Sequence, residues 1–349
     1  MREPSGQALD TTADPADREK PVLGLDLGAT RLRAALVGPD GAILARAEAP
    51  SATQRGPAAV LDAAEALLTD VRFARAPAGE TAPAGRPLGI GISAIGPVDP
   101  QAGVIVDPPN AHPSFRDVPI AAELERRLGL PAFLDRDTNV ALLGELSFGA
   151  ARGVGDVVYL TVSTGIGGAV LAAGALLHGP DGTAGELGHL LVELDGPPCG
   201  CGARGHLEAI ASGAGIARAA REAIRAGASP MLAAVASRAG LDRVTAADVA
   251  AAEDAGDPAA AAIMDHARRA FAAAMVTIAD VFDPTLAVVG GSIARAQGDR
   301  LLGPAREAVR ATAFRSPSRR VAIVPAALGD DVGLVGCLAL VRRRLAGET

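Results

Sequence analysis

Lysine is almost missing. Among 349 residues only Lys20 is a lysine, and it sits in a polar N-terminal stretch. This excludes a P-loop, whose G-K-[ST] sets a lysine on the nucleotide phosphates. It also excludes Schiff-base and pyridoxal-phosphate chemistry, which need a buried lysine. Tryptophan is absent, and there are one tyrosine and seven phenylalanines. A stacking platform for bases or sugar faces is therefore not expected, and ligands are read mainly through hydrogen bonds. Three cysteines do not make a disulfide framework, so a reducing cytoplasm is the expected location. No charge-free apolar run reaches roughly 18 residues, so no membrane span is expected. MREPSGQALD lacks an apolar core and does not read as a signal peptide. A net charge of −7 argues against a dominant nucleic-acid or anionic-membrane surface.

What is present is a long, 49% hydrophobic, 21% charged chain, enough for two globular domains. Its chemistry concentrates in Gly185–Glu208, GELGHLLVELDGPPCGCGARGHLE. His189, Cys199, Cys201 and His206 form an N2S2 set that tetrahedral zinc accepts. A C-x-C pair by itself also suits a redox pair or plain burial. The two flanking histidines favour zinc. Four protein ligands leave no position for a catalytic water, so the expected site is structural, pinning a Gly/Pro-rich loop otherwise short of reasons for order. Glu186 and Glu208 flank it and would be held without ligating the metal.

Along the chain, residues 1–20 read as a disordered tail. VLGLDLGATRLRAALVGPDGAILARAEAP, from Val22, reads as an antiparallel meander. Asp26, Gly28 and Thr30 on its first turn suit a magnesium-phosphate group, or make only an Asx-type turn. Pro57–Arg75 and Pro119–Leu128 read as helices, with a flexible loop over 76–87. In LDRDTNVALLGE, a strand ends and a helix begins at Asp137. Asp137 is either a helix N-cap or a general base at a strand end, and the two roles are compatible. DVVYLTVSTGIGGAVLAA (156 onward) repeats the strand, glycine turn, strand pattern. This points to a duplicated fold gripping one phosphate chain from two sides. STGIGG is no dinucleotide fingerprint, because a strand follows where a helix is needed. Residues 209–282 read as alanine-rich helices. In FDPTLAVVGGSIARA, Gly290 and Gly291 would admit a flat ring to the backbone, with Ser292 capping the next helix.

Together these segments resemble the ROK family (repressors, open reading frames, kinases) of the actin-like sugar kinases, over about residues 21–345. The matching motifs are DLGAT (26–30), STGIGG (163–168), GPVDP (96–100), DPPN (107–110), VVGG (288–291), and ELGH followed by CGCGARGHLE. The resemblance implies an α/β, actin-like ATPase (ribonuclease H-like) fold of two domains flanking a cleft, commonly a homodimer. A first domain of residues 21–136, joined by a helix at about 331–349, and a second of 137–330 are expected. The implied reaction is phosphorylation of a hexose or amino-hexose by ATP with Mg2+, Asp137 taking the hydroxyl proton. Asn110, Glu186, His189, Glu208 and Arg136 are the implied sugar neighbours. Asp26 would serve magnesium. Gly28, Thr30, Thr164 and Gly165 would lie along the phosphates, and Gly290 and Gly291 near adenosine.

Three positions depart from the family pattern. His206 replaces a cysteine and remains a competent zinc ligand. Ala29 replaces a glycine, tolerable if its φ is negative. Arg136 replaces an asparagine that touches sugar hydroxyls, and it offers only donors and a fixed positive charge. Arg136 either turns to a carboxylate such as Asp135 or enters the sugar site. The alternative function is a non-catalytic sugar-binding regulator. Family repressors carry a helix-turn-helix, and the roughly 20 polar residues before the first strand are too few for one.

Overall fold

The computed structural model describes residues 17–74, 85–108, 111–314 and 320–348. Most of the expected tail, most of the 76–87 loop, and Asn110 lie outside the described residues. The chain divides into two compact units. The first takes residues 1–155, 174–184 and 326–349, the second 156–173 and 185–325.

In the first unit the strands are β1 (Val22–Leu27), β2 (Arg31–Val37), β3 (Ile43–Pro50), β4 (Ile90–Ala94) and β7 (Ala132–Arg136), in the sheet order β3-β2-β1-β4-β7. The short strands β5 (Val98–Asp99) and β6 (Val104–Ile105) form a separate ribbon. β1, β2 and β3 pair antiparallel, as the meander pattern requires, whereas β1, β4 and β7 are parallel. Alternation sets the faces. Leu23, Leu25 and Leu27 join the core with α1 (Pro57–Arg72) and α2 (Ile120–Leu128). Val22 faces the opposite side, with Leu334 and Leu338 of α11 (Val332–Leu345).

α11 lies directly on the sheet because Gly24 and Gly91, paired in register, leave room for it. A Cβ on Gly91 would fall 2.5 Å from the Cys337 carbonyl oxygen. Cys337 is fully buried there, and burial holds its thiol far above the ordinary range, so it packs as a small apolar residue.

Helix α3 (Asp137–Phe148) packs on α11 just as closely: a Cβ on Gly336 would lie 2.0 Å from the Val140 carbonyl oxygen. The fully buried Glu145 accepts from Ala150 N (2.7 Å), Ala327 N (2.9 Å) and Leu328 N (3.0 Å). This packing keeps α3 in the first unit. The domain boundary expected at 136/137 is thereby corrected to 155/156. Glu145→Gln sets an amide N–H against one of these donors. It should lower stability to urea unfolding by about 1–3 kcal/mol.

In the second unit β8 (Val157–Val162) and β9 (Ile166–Ala172) form an antiparallel hairpin. β11 (Leu286–Gly290) and β12 (Ala322–Pro325) extend it in parallel, in the order β9-β8-β11-β12. The order repeats β2-β1-β4-β7, so the duplicated α/β fold is present. β10 (Ala175–Leu176) is a two-residue strand in the short segment 174–184. The alanine-rich stretch folds as α4 (Leu207–Ala211), α5 (Gly213–Arg225), α6 (Pro230–Ala239), α7 (Ala246–Asp254) and the long α8 (Pro258–Phe282). Helices α9 (Ser292–Gln297) and α10 (Asp299–Thr312) follow β11. No helix among the described residues is long and apolar enough to cross a membrane.

Candidate active-site residues

In the first unit, β7 runs into α3 without a loop, and Asp137 is the first helical residue. The N-cap is Arg136, not Asp137 as one reading of the sequence had it. The Asp137 Oδ1 accepts from Thr138 N at 2.7 Å, and the residue is half-buried. Parallel pairing with β4 fixes where this turn emerges.

Asp135 anchors the turn from behind. It is 1% exposed, and its Oδ1 accepts from Arg136 N and Asn139 Nδ2, both at 2.8 Å. Its Oδ2 lies 2.9 Å from His178 Nε2. His178 also lines a 440 Å3 cavity with Asp99, Gln101 and Arg344. The sequence reading missed His178, because nothing near it in the chain marks it as a partner of Asp135.

Arg136 is buried and folds back over its own unit. Its Nε donates to Thr138 Oγ1 (3.1 Å) and its Nη2 to the Ala184 carbonyl (2.7 Å), while its stem covers Gly96. Asp135 receives the Arg136 backbone N–H.

On the first glycine turn, the Gly28 N–H donates to the Arg31 carbonyl at 3.0 Å and closes the hairpin. That donor is used by the fold. Ala29 is not among the residues with positive φ, which removes the concern over the missing glycine. Thr30 is exposed. The Asp26 carboxylate accepts from Ser93 Oγ (2.8 Å) and from Arg33 Nε (3.0 Å) and Nη2. Asp26 and Arg33 line a 360 Å3 cavity with Gly28, Thr30 and Arg46. Carboxylate and hydroxyl oxygens are the donors magnesium takes beside phosphate and water, so this cavity suits the ion.

In the second unit, the other glycine turn is tied to the segment after the cysteines. Glu208 Oε2 accepts from Ile166 N at 2.8 Å, so closely that a Cβ on Gly165 would lie 2.6 Å from it. The first N–H groups of α5, on Gly213 and Ala214, donate to the Ser163 and Thr164 carbonyls at 2.8 and 3.0 Å. Ser292 does not cap α9. Gly291 is the N-cap, and the Ser292 Oγ lies 2.9 Å from Ser163 Oγ. Gly291 has φ +93°, and a Cβ there would fall 2.4 Å from the Val162 carbonyl oxygen. Chain packing thus requires this glycine whether or not a ring approaches it. Gly290 is buried at the end of β11, beside Thr161 of β8.

His189, Cys199, Cys201 and His206 converge, with one ligand atom from each within 4.8 Å of all the others. The His189 and His206 Nδ1 atoms are 3.3 Å apart. Cys201 Sγ is 3.3 Å from His206 Nδ1, and Cys199 Sγ is 3.8 Å from His189 Nδ1. A tetrahedral zinc with ordinary Zn–N and Zn–S bonds needs ligand edges of roughly 3.3–3.8 Å, so the four residues fit the ion. Glu186 Oε2 lies 4.0 Å from His189 Nε2, the ring nitrogen turned away from the cluster. Burial raises the Cys199 thiol above its ordinary value, with Cys201 beside it.

The loop is more ordered by its own backbone than the sequence suggested. Val192 and Glu193 N–H groups donate to the Gly205 carbonyl, Cys199 N to Ala203, and Leu207 N to Leu190. Gly205, at φ +71°, is required because a Cβ would strike the Glu193 carbonyl. Glu193 also meets His266 of α8 at 3.0 Å.

The ROK family profile matches residues 22–344. A glucokinase from Thermotoga maritima is 35% identical over 93% of this chain and 98% of its own length. An N-acetylmannosamine kinase from Shigella flexneri is 34% identical over 92% of this chain and 98% of its own. A solved structure, a ROK family glucokinase from Streptomyces griseus in complex with glucose and AMPPNP, is 31% identical. It has a TM-score of 0.74 and covers 93% of this chain and 99% of that one.

Proposed function

The chain belongs to the ROK family, and from that premise we propose that it is an ATP-dependent sugar kinase acting on a hexose or amino-hexose hydroxyl. The observation that carries the mechanism is Asp137, a half-buried carboxylate at the carboxyl end of β7 in a chain that matches glucokinases over nearly its whole length. In this reading Asp137 takes the proton of the sugar hydroxyl as that oxygen attacks the γ-phosphate. With aromatics scarce, no stacking platform is expected, and the nucleotide phosphates are assigned to backbone and hydroxyl groups of Gly28, Thr30, Thr164 and Gly165. Gly290 and Gly291 are assigned to the nucleoside.

Magnesium, when bound with the nucleotide, neutralises the transferring phosphoryl group. Asp26 is the residue assigned to it. Zinc, when held by His189, Cys199, Cys201 and His206, supplies only a structural cross-link. Its consequence is positional: Glu186 stands beside His189, and Glu208 lies in the first turn of the helix that follows His206. Glu186, His189 and Glu208 are the proposed sugar contacts. Asn110 shares that assignment but lies outside the described residues.

The test is MgATP-dependent turnover across glucose, mannose, fructose, allose, glucosamine, N-acetylglucosamine and N-acetylmannosamine, with Asp137→Ala as control. Turnover on one sugar, lost in the control, names the substrate. Binding of a sugar by zinc-replete protein without turnover on any would favour the regulator instead.

Arg136 tunes sugar choice in this reading, because it takes the position of the family's asparagine while its guanidinium is committed to Thr138 Oγ1 and the Ala184 carbonyl. Arg136→Asn should shift kcat/KM for glucose relative to another hexose by about tenfold. The same sugar panel reads it, and an unchanged profile counts against the role.

A further inference from the structure

Asp26 has a built-in counter-ion. The β1–β2 register places Arg33 directly opposite it across the hairpin. Both Nε (3.0 Å) and Nη2 of the guanidinium donate to the same oxygen, Oδ2. Nη1 reaches on to the Asp330 carbonyl at 2.8 Å, which fixes the plane of the fork. The other oxygen, Oδ1, accepts from the buried Ser93 hydroxyl at 2.8 Å. The pair is well shielded: the Asp26 side chain is 13% exposed and that of Arg33 26%.

A divalent ion bound directly to this carboxylate needs an oxygen lone pair at about 2.0–2.1 Å. Two N–H groups already fill the lone-pair directions of Oδ2. The ion would also stand beside a fixed positive charge that cannot be removed by deprotonation. A water between the ion and Asp26 relieves both conflicts. It adds distance from the guanidinium and needs only one acceptor site.

We propose that Arg33 is a positioning residue that keeps Asp26 from ligating the divalent cation directly and so weakens cation binding in the nucleotide complex. This rests on the kinase reading above. Asp26 then acts on the ion through water, and the cation is held chiefly by the nucleotide phosphates.

The experiment follows free Mn2+ by electron paramagnetic resonance while protein saturated with AMPPNP is titrated. It compares the native chain, Arg33→Met, Arg33→Lys, Asp26→Asn and the double variant, each checked for folding by its thermal midpoint. Removing one nearby positive charge should tighten Mn2+ binding in Arg33→Met by roughly tenfold. Arg33→Lys keeps the charge and should stay within about twofold of the native chain. The gain should vanish in the double variant, because it runs through the freed Asp26 carboxylate. Unchanged or weaker Mn2+ binding by folded Arg33→Met overturns the proposal, as does a gain that survives loss of Asp26. Failure of the native chain to bind AMPPNP at all would instead bring down the kinase reading, and this inference with it. That outcome is recognised before any variant is made.

Discussion

Asparagine in place of Asp137 should lower kcat for sugar phosphorylation by about 10²–10⁴-fold, the usual worth of a general base. The substitution is conservative for the fold. Oδ1 accepts from Thr138 N at 2.7 Å, and an amide oxygen accepts there equally well. Asp135, which braces the turn through Arg136, Asn139 and His178, is untouched. What is lost is the basic oxygen. The thermal midpoint should therefore stay close to that of the native chain, and the sugar KM should move by less than roughly threefold. Steady-state kinetics beside a melting curve check this. A kcat within tenfold of native in a folded variant would remove Asp137 from the base role and leave it as the opening residue of α3.

The second large effect is expected at the metal cluster. Cys199→Ala should reduce bound zinc from about one per chain to a small fraction, because three ligands of mixed exposure hold the ion far less well. Loss of the ion should cost roughly 10–100-fold in kcat/KM for the sugar, by freeing the residues it positions. Glu186 and Glu208 are the residues assigned to that role, and Glu208 also holds the Ile166 N–H of the second glycine turn. The hairpin around the cluster keeps its backbone bonds, so the variant should remain folded.

The pH dependence of zinc loss has a definite sign. Zinc binds the thiolate, so protons compete with it. Burial raises the Cys199 thiol, which extends that competition to higher pH. A chelator should therefore strip zinc from the native chain more readily at about pH 6.5 than at about pH 8. Metal analysis after dialysis at each pH reads the effect. Zinc retained fully by Cys199→Ala, or native-like turnover without it, would disconnect the cluster from the sugar site.

Much of this was legible in the chain itself. Period-two alternation around DLGAT and STGIGG specified two antiparallel hairpins, since only one face of each strand can be buried at a time. The near-absence of lysine removed whole classes of phosphate and carbonyl chemistry. The N2S2 set was readable because its ligands lie within a short stretch, and a Gly/Pro-rich turn can gather neighbours in sequence. Asp137 stood out as the residue at which a strand becomes a helix.

Other features depend on partners far apart in the chain, and tertiary structure alone decided them. His178 meets Asp135 across 43 residues, and Glu145 holds Ala327 across 182. No local pattern announces either pair. Glu145 and the glycines of α3 and α11 moved the unit boundary from 136/137 to 155/156, because close helix packing outweighs the order of elements along the chain. Gly291 looked like an approach for a ring, yet the Val162 carbonyl beside it demands a glycine in any case. Asp26 looked like an open ligand until the hairpin register set Arg33 against it. Composition and spacing determined which chemistries the chain can support. Folding decided which of its charged groups are committed to one another, because that depends on separations a linear sequence does not contain.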